Sequence, residues 1–181
     1  MNTKRLEKFI KILIRACGDN PEREGLSETP GRVLRGWSEL VSGYACDDRE
    51  FYKTFDFKGN GLVVVRGIEF TSLCEHHLLP FYGTATVGYV PGEGRVLGLS
   101  KFSRIVDCFS KRLQLQERLA NDIANSIVNN LRPKDLFLVM RAVHCCMICR
   151  GIMKRNSEVF TIVTHGKFKY YNESDIIKLA D

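Results

Sequence analysis

The chain has 181 residues, of which 44% are hydrophobic and 27% are charged, and its formal net charge is +6. These proportions exclude disorder for most of the chain, and the length suits a single domain of ordinary size. No apolar run approaches the roughly 20 residues that a membrane-spanning helix needs. The N-terminus interleaves Lys and Arg with apolar residues, unlike a signal peptide, so we expect a cytoplasmic protein with no membrane partner.

The first predicted elements are helices. Apolar residues from Leu6 to Cys17 follow helical spacing, and Gly18 is a suitable residue to end that helix. Thr29-Pro30 predicts an N-cap followed by a first-turn proline of a second helix, which should end near Gly43. The polar and aromatic segment 45–60 predicts a loop.

The rest of the chain alternates between strand and helix patterns. Runs rich in β-branched residues predict strands over residues 62–73, 84–90, 136–147 and 157–164. Ser100 is predicted to cap a helix, and apolar residues at i, i+4 and i+8 predict another helix over residues 116–131, before a short helical tail. We therefore expect an α+β fold, in which an antiparallel sheet carries paired helices on one face. A helical segment over residues 1–44 would precede this unit, which covers residues 45–181.

Two clusters of Cys and His residues carry the metal-binding signal. Cys74 and His77 have the C-x-x-H spacing that can bind one ion, and the second cluster spans residues 144–149. A thiolate with an imidazole suits zinc. In a reducing compartment, clustered cysteines indicate metal binding or catalysis rather than a disulfide framework. Cys17 and Cys108 fit the pattern of buried cysteines that act as small apolar residues.

The number of ligands distinguishes two kinds of zinc site. On a strand, His144 and Cys146 would point to one face, so Cys146 could join Cys74 and His77 as a third ligand. Three ligands would leave a fourth position for water, as in catalytic sites, and one histidine from each cluster for proton transfer. The alternative is a closed structural site with Cys149 as the fourth ligand, and the spacing leaves both open.

Basic residues suggest a second site, for a phosphate. Lys101 and Arg104 are three residues apart in the first turns of the helix that begins at Ser100, hence on one face near the positive end of the helix dipole. Arg32 and Arg150 lie beside glycines near the other motifs. Aromatic residues do not alternate with the basic ones, so we expect a small polyphosphate ligand rather than nucleic acid.

Gln116 and Glu117 begin the predicted helix over residues 116–131. The carboxylate of Glu117 can accept from two adjacent N–H donors, as on the edge of guanine, and the amide of Gln116 can both donate and accept. The alternative is a helix-initiating Glu that complements the dipole.

Six motifs in this order resemble GTP cyclohydrolase I: TPGR, CEHHLLPFYG, GYVPG, GLSKFSR, RLQLQERL and HCCMICRGI. The resemblance runs from about Asn20 to beyond Gly151, which is most of the chain. It implies a tunnelling (T-fold) domain in a ring-shaped homo-oligomer, usually a decamer of two stacked pentamers, with active sites at subunit interfaces. It also implies that GTP and water are converted to 7,8-dihydroneopterin triphosphate and formate.

The resemblance implies a role for individual residues of this chain. The zinc ligands would be Cys74, His77 and Cys146, and the proton-transfer residues would be His76 and His144. The triphosphate would be bound by Arg32, Lys101, Arg104 and Arg150, the ribose by Ser100, and the guanine by Gln116 and Glu117. The alternative function is a non-catalytic, zinc-stabilised protein that binds nucleotides or nucleic acid.

Overall fold

The computed structural model describes residues 3–181 and contains both helices and sheets, which confirms the α+β class. The helices are α1 (Thr3–Ala16), α2 (Thr29–Leu40), α3 (Leu99–Ser110), α4 (Gln116–Leu131), α5 (Cys145–Ile148) and α6 (Glu173–Ala180). The strands are β1 (Thr54–Asp56), β2 (Val63–Cys74), β3 (Pro80–Val90), β4 (Arg95–Leu97), β5 (Leu113–Gln114), β6 (Asp135–His144) and β7 (Val159–His165). Short 3₁₀ helices cover Ser42–Ala45, Asp48–Phe51 and Gly166–Tyr170. Internal contacts divide the chain into two compact units, Met1–Val41 and Ser42–Asp181.

The N-terminal unit contains α1 and α2. Gly18 has a φ of +87°, a conformation that glycine adopts without steric cost, and it follows the end of α1 as predicted. Pro30 lies in the first turn of α2, also as predicted. The predicted N-cap is wrong by one residue, because Glu28 holds that position and Thr29 is already helical. No helix within residues 3–181 is both long and apolar enough to cross a membrane.

The second unit is built on a five-stranded sheet with the strand order β5-β2-β3-β6-β7. Neighbouring strands are antiparallel except for the two-residue β5, which runs parallel to β2. β1 and β4 form a separate antiparallel pair. The predicted loop over residues 45–60 is therefore partly wrong: it contains β1, and a 3₁₀ helix at Asp48–Phe51.

The main core lies between one face of the sheet and the paired helices α3 and α4. Its fully buried side chains include Phe102 and Ile105 of α3, Ile123 of α4 and Phe81 of β3. A smaller cluster covers the opposite face, where Phe137 of β6 packs with residues of α6 and of the last 3₁₀ helix. The helices thus cover one face of the sheet, including Cys74 at the end of β2, and the smaller cluster covers part of the other face.

Three element boundaries matter for the site. The helix over Gln116–Leu131 is confirmed at both ends. The prediction that Ser100 caps α3 is wrong, because Gly98 is the N-cap and Ser100 is the second helical residue. The predicted strand over 136–147 ends at His144, and Cys145–Ile148 forms a single helical turn. The strand alternation that was expected to orient Cys146 therefore does not apply.

The cysteines outside the two clusters also differ from expectation. Cys46 and Cys108 form a disulfide with their Cα atoms 5.7 Å apart, although the sequence argued against disulfides. Cys108 is buried, but as a disulfide partner rather than as a free apolar residue. Cys17 is an exposed free cysteine, so its predicted burial is wrong.

Candidate active site with a metal centre

A tight turn brings the first two candidate ligands together. Cys74 is the last residue of β2, and its carbonyl oxygen accepts the N–H groups of His77 at 3.3 Å and Leu78 at 2.8 Å. The N–H of Cys74 donates to the carbonyl of Leu79 at 2.9 Å, which closes the turn before β3 begins. Leu78 takes a positive φ of 55° to make this possible. As a result, Sγ of Cys74 lies 3.5 Å from Nδ1 of His77.

Cys146 joins this pair from α5. The ligand atoms of Cys74, His77 and Cys146 all lie within 4.8 Å of one another. Ligands at zinc's usual bond lengths on a tetrahedral ion would be about 3.5–4 Å apart, so a small closure would bring the three atoms onto one ion. These three residues are called the metal cluster below, and the structure therefore contains a group that could hold a metal.

The electrostatics of Cys146 also favour a cation. Burial raises the pKa of the Cys146 thiol, the neighbouring Cys74 raises it further, and the guanidinium of Arg150 lowers it. Two thiols this close resist ionising together unless a positive charge lies between them. A bound cation would supply that charge.

Cys149 does not belong to the metal cluster. Among residues 3–181, the group whose ligand atoms are mutually within 4.8 Å has three members, and Cys149 is not one of them. Its exposed thiol instead donates to the carbonyl oxygen of Cys145 at 2.7 Å. Within the described residues, the group that could hold a metal therefore has two thiols and one imidazole.

His144 is held beside the metal cluster by two contacts. Its ring stacks on Phe81, with ring centroids 4.5 Å apart and an interplanar angle of 2°. Its Nε2 lies 2.8 Å from Oε1 of Gln116, the first residue of α4. Burial lowers the pKa of His144, and the negative charge of Glu117 acts in the opposite direction. The imidazole is therefore fixed in position and its neutral form is favoured.

The other residues predicted near the metal are more exposed. His76 is an exposed residue of the turn, and its ring lies edge-on to that of His77, with centroids 6.2 Å apart. Glu117 is exposed in the first turn of α4, near enough to His144 to influence its pKa. Arg150 is exposed after α5, and its positive charge lowers the pKa of the Cys146 thiol.

The remaining predicted substrate-binding residues lie on α3 and α2. Ser100 and Arg104 are exposed on α3, and Lys101 is half-buried there. Arg104 lines a surface cavity of about 210 Å³ beside the disulfide. Arg32 belongs to the N-terminal unit, where it is an exposed residue of α2 that forms an ion pair with Glu28.

One polar network was not predicted. Glu75, inside the turn that holds the metal cluster, forms an ion pair with Arg118 of α4, 43 residues away. Arg118 also donates to the side chain of Gln114 at 2.8 Å, and Gln114 donates to Asp122 at 3.1 Å. Sequence spacing gives no signal for such a long-range pair, although Glu75, Gln114 and Arg118 lie within motifs quoted above.

The fold and the metal cluster define a class: an α+β protein with two thiols and one imidazole around a potential metal site, and a positioned histidine at its side. The family model for GTP cyclohydrolase I matches residues 6–178. The chain is 44% identical to GTP cyclohydrolase 1 of Streptococcus agalactiae serotype Ia, covering 98% of this chain and 97% of the relative. The enzyme of the same name from Pelotomaculum thermopropionicum is 45% identical, covering 91% and 88%.

A third relative, GTP cyclohydrolase 1 of Leptospira biflexa serovar Patoc, is 46% identical over 91% of this chain and 90% of its own length. A crystal structure of the archaeosine synthase QueF-Like in the apo form is 22% identical with a TM-score of 0.49, covering 60% of this chain and 97% of that one, which supports no conclusion about function. The chain belongs to the GTP cyclohydrolase I family.

Proposed function

We propose that this chain converts GTP and water to 7,8-dihydroneopterin triphosphate and formate at a zinc ion held by Cys74, His77 and Cys146. The observation that carries the proposal is the metal cluster, in which three ligand atoms lie within 4.8 Å of one another in a chain of this family. Two thiolates and one imidazole suit zinc, and three protein ligands leave one position for water or substrate. When bound there, zinc supplies a Lewis acid that lowers the pKa of water toward about 7.

The proton transfers are assigned to His144 and His76. Imidazole titrates near neutral pH, so it can protonate N7 of the purine, which makes C8 electrophilic, and later return a proton. His144 is fixed by the ring of Phe81 and by Gln116, which supports it as the positioned partner. His76 is exposed beside His77, which supports a role that begins when substrate covers the site.

The substrate contacts are assigned by charge. Glu117 would accept the two adjacent N–H groups of guanine, and its influence on His144 supports a position beside the reacting ring. The triphosphate would be bound by Arg150, Lys101, Arg104 and Arg32, with Ser100 at the ribose. Positioning by several cations is the contribution of this set to the reaction.

The quaternary structure, the domain type and the compartment belong to the same proposal. We assign a T-fold to residues 45–181, supported by an antiparallel sheet with α3 and α4 on one face, and a separate helical segment to residues 1–44. A homo-oligomer, specifically a decamer with active sites at subunit interfaces, would bring Lys101 and Arg104 of α3 to a metal cluster. A cytoplasmic location fits the supply of GTP.

The test is a GTP assay with zinc-loaded protein, before and after treatment with a chelator. We expect formate and a pterin that becomes fluorescent on oxidation, in a reaction that stops on chelation and resumes when zinc is restored. Binding of GTP without formate would support the alternative of a non-catalytic nucleotide-binding protein. Tight nucleic-acid binding that weakens steeply with salt would support a nucleic-acid module instead.

A further inference from the structure

Gln116 has a buried side chain whose donors are already used inside this chain. Only 1% of the residue is exposed. Its Nε2 donates to the main-chain carbonyl oxygens of Val159 at 3.0 Å and Met140 at 3.3 Å, on the neighbouring strands β7 and β6. A primary amide has two N–H donors, so these two carbonyls account for both of them. Gln116 therefore has no N–H left to offer to a guanine.

The same two carbonyls determine which way the amide faces. Carbonyl oxygens accept hydrogen bonds and cannot donate them, so the nitrogen of Gln116 must face Val159 and Met140. The amide oxygen is then directed at His144, 2.8 Å from Nε2 of the ring. Exchanging the two amide atoms would place an oxygen against two oxygens, none of which can donate a hydrogen bond.

This arrangement also decides which ring nitrogen of His144 carries the proton. An amide oxygen only accepts, so the ring nitrogen that faces it must be protonated. The stacked ring of Phe81 fixes the plane of the imidazole, which keeps Nε2 aligned with that oxygen. In the neutral imidazole, Nδ1 then keeps the lone pair.

We propose that Gln116 is a positioning residue that holds His144 in its Nε2–H form, leaving Nδ1 as the ring nitrogen that exchanges a proton with the substrate. Its effect on turnover rests on the proposed function, whereas the protonated nitrogen can be observed without any reaction. The resemblance had implied a guanine contact for Gln116. With both of its N–H groups engaged, guanine recognition falls to Glu117.

¹⁵N NMR of zinc-loaded protein labelled at histidine reports which ring nitrogen carries the proton. The chain has four histidines, so the spectrum contains few signals to assign. At a pH of about 8, above the usual histidine pKa, the neutral ring is observed. We expect Nε2 of His144 to give the signal of a protonated, pyrrole-type nitrogen and Nδ1 that of a pyridine-type nitrogen. The opposite assignment in the unsubstituted protein would overturn the proposal, and that result needs no variant and no activity.

Two matched variants then test the role of Gln116 itself. Gln116→Met keeps the size of the side chain but removes its acceptor, and Gln114→Met makes the same change at another buried glutamine that does not contact His144. We expect Gln116→Met to lose the defined tautomer and to lower kcat on the order of 100-fold, with KM for GTP changed by less than about threefold. Gln114→Met should keep the His144 signals and most of the kcat.

A guanine-binding role would give a different result. In that case Gln116→Met would raise KM and leave the His144 signals unchanged, which would contradict the proposal. If the unsubstituted protein shows the Nε2–H form but no GTP turnover, the proposed function fails while the assignment of the proton stands. If Gln116→Met does not fold, the spectrum of the unsubstituted protein still decides the tautomer.

Discussion

The metal cluster and the cations of α3 differ in how they are held. Cys74 and His77 lie in a turn closed by three main-chain hydrogen bonds, and Cys146 reaches them from α5. Lys101 and Arg104 instead lie on one side of α3, where Arg104 is exposed. The backbone of one chain therefore fixes the geometry of the metal cluster, whereas long flexible side chains present the cations. A metal needs its ligands within a few tenths of an ångström, and a triphosphate tolerates much more.

The largest effect is expected from changing the metal cluster itself. Cys146→Ala removes one of three ligands, so turnover of GTP should fall by at least about 1,000-fold, and zinc should dissociate readily. Cys149→Ala is the matched control, because its thiol donates to a carbonyl outside the cluster. Zinc per chain and formate release are the measurements. Loss of zinc from Cys149→Ala to the same extent would contradict the three-ligand account.

The next effect concerns the disulfide beside Arg104. The disulfide joins Cys46 to Cys108 of α3, closing a sequence separation of 62 residues. Cys46→Ala should lower the free energy of unfolding by about 2–4 kcal/mol, because the unfolded chain loses a constraint. Chemical denaturation measures this loss, with Cys17→Ala as the exposed control. Because other residues hold the metal cluster, its zinc content should not change. A parallel loss of zinc would show that the metal cluster depends on the disulfide, and would contradict the difference between the two regions.

A smaller effect is expected from the cations. Arg104→Ala should lower kcat/KM for GTP by about 10- to 100-fold, which corresponds to one charge-assisted contact. Most of the change should appear in KM, and zinc binding should stay as it is. Lys169→Ala, at an exposed position of the 3₁₀ helix Gly166–Tyr170, is the control cation. A variant at Arg104 with unchanged kinetics would remove this residue from the phosphate site.

The smallest effect is expected from an ion pair in the turn that holds the metal cluster. Glu75 lies in the turn of the metal cluster and pairs with Arg118, but both side chains are partly exposed, at 30% and 45%. Glu75→Gln should therefore weaken zinc affinity by only about two- to fivefold. Glu69→Gln, at an exposed position of β2, is the control. A competition titration against a chelator measures both. A loss of 100-fold or more would mean that the ion pair, and not the backbone, holds the turn.

Local patterns predicted the parts of this molecule that local forces determine. The helix Gln116–Leu131 was predicted at both ends, because its apolar residues repeat along one face and a proline follows. A three-residue strand such as Thr54–Asp56 has no periodicity to detect, and its pairing with β4 depends on residues 41 positions away. The disulfide between Cys46 and Cys108 was missed for the same reason, since tertiary packing brings the two residues together.

The candidate site shows the same division. The C-x-x-H spacing indicated the pairing of Cys74 with His77, because a single turn forms it. Cys146 does lie with them, but on a helical turn rather than on the predicted strand, so the argument that placed it there was wrong. The contact between Gln116 and His144 joins a helix start to a strand end, and no spacing in the sequence reveals it.

We propose that zinc has three protein ligands from this chain and a fourth, exchangeable position. X-ray absorption spectroscopy of the zinc-loaded protein tests it most directly, because it counts sulfur and lighter ligands around the metal. We expect two sulfur ligands, one imidazole nitrogen and one further oxygen or nitrogen, from Cys74, Cys146, His77 and solvent. Three sulfur ligands with one imidazole would place a further thiol, from Cys145 or Cys149, on the metal, and would contradict a site with three protein ligands.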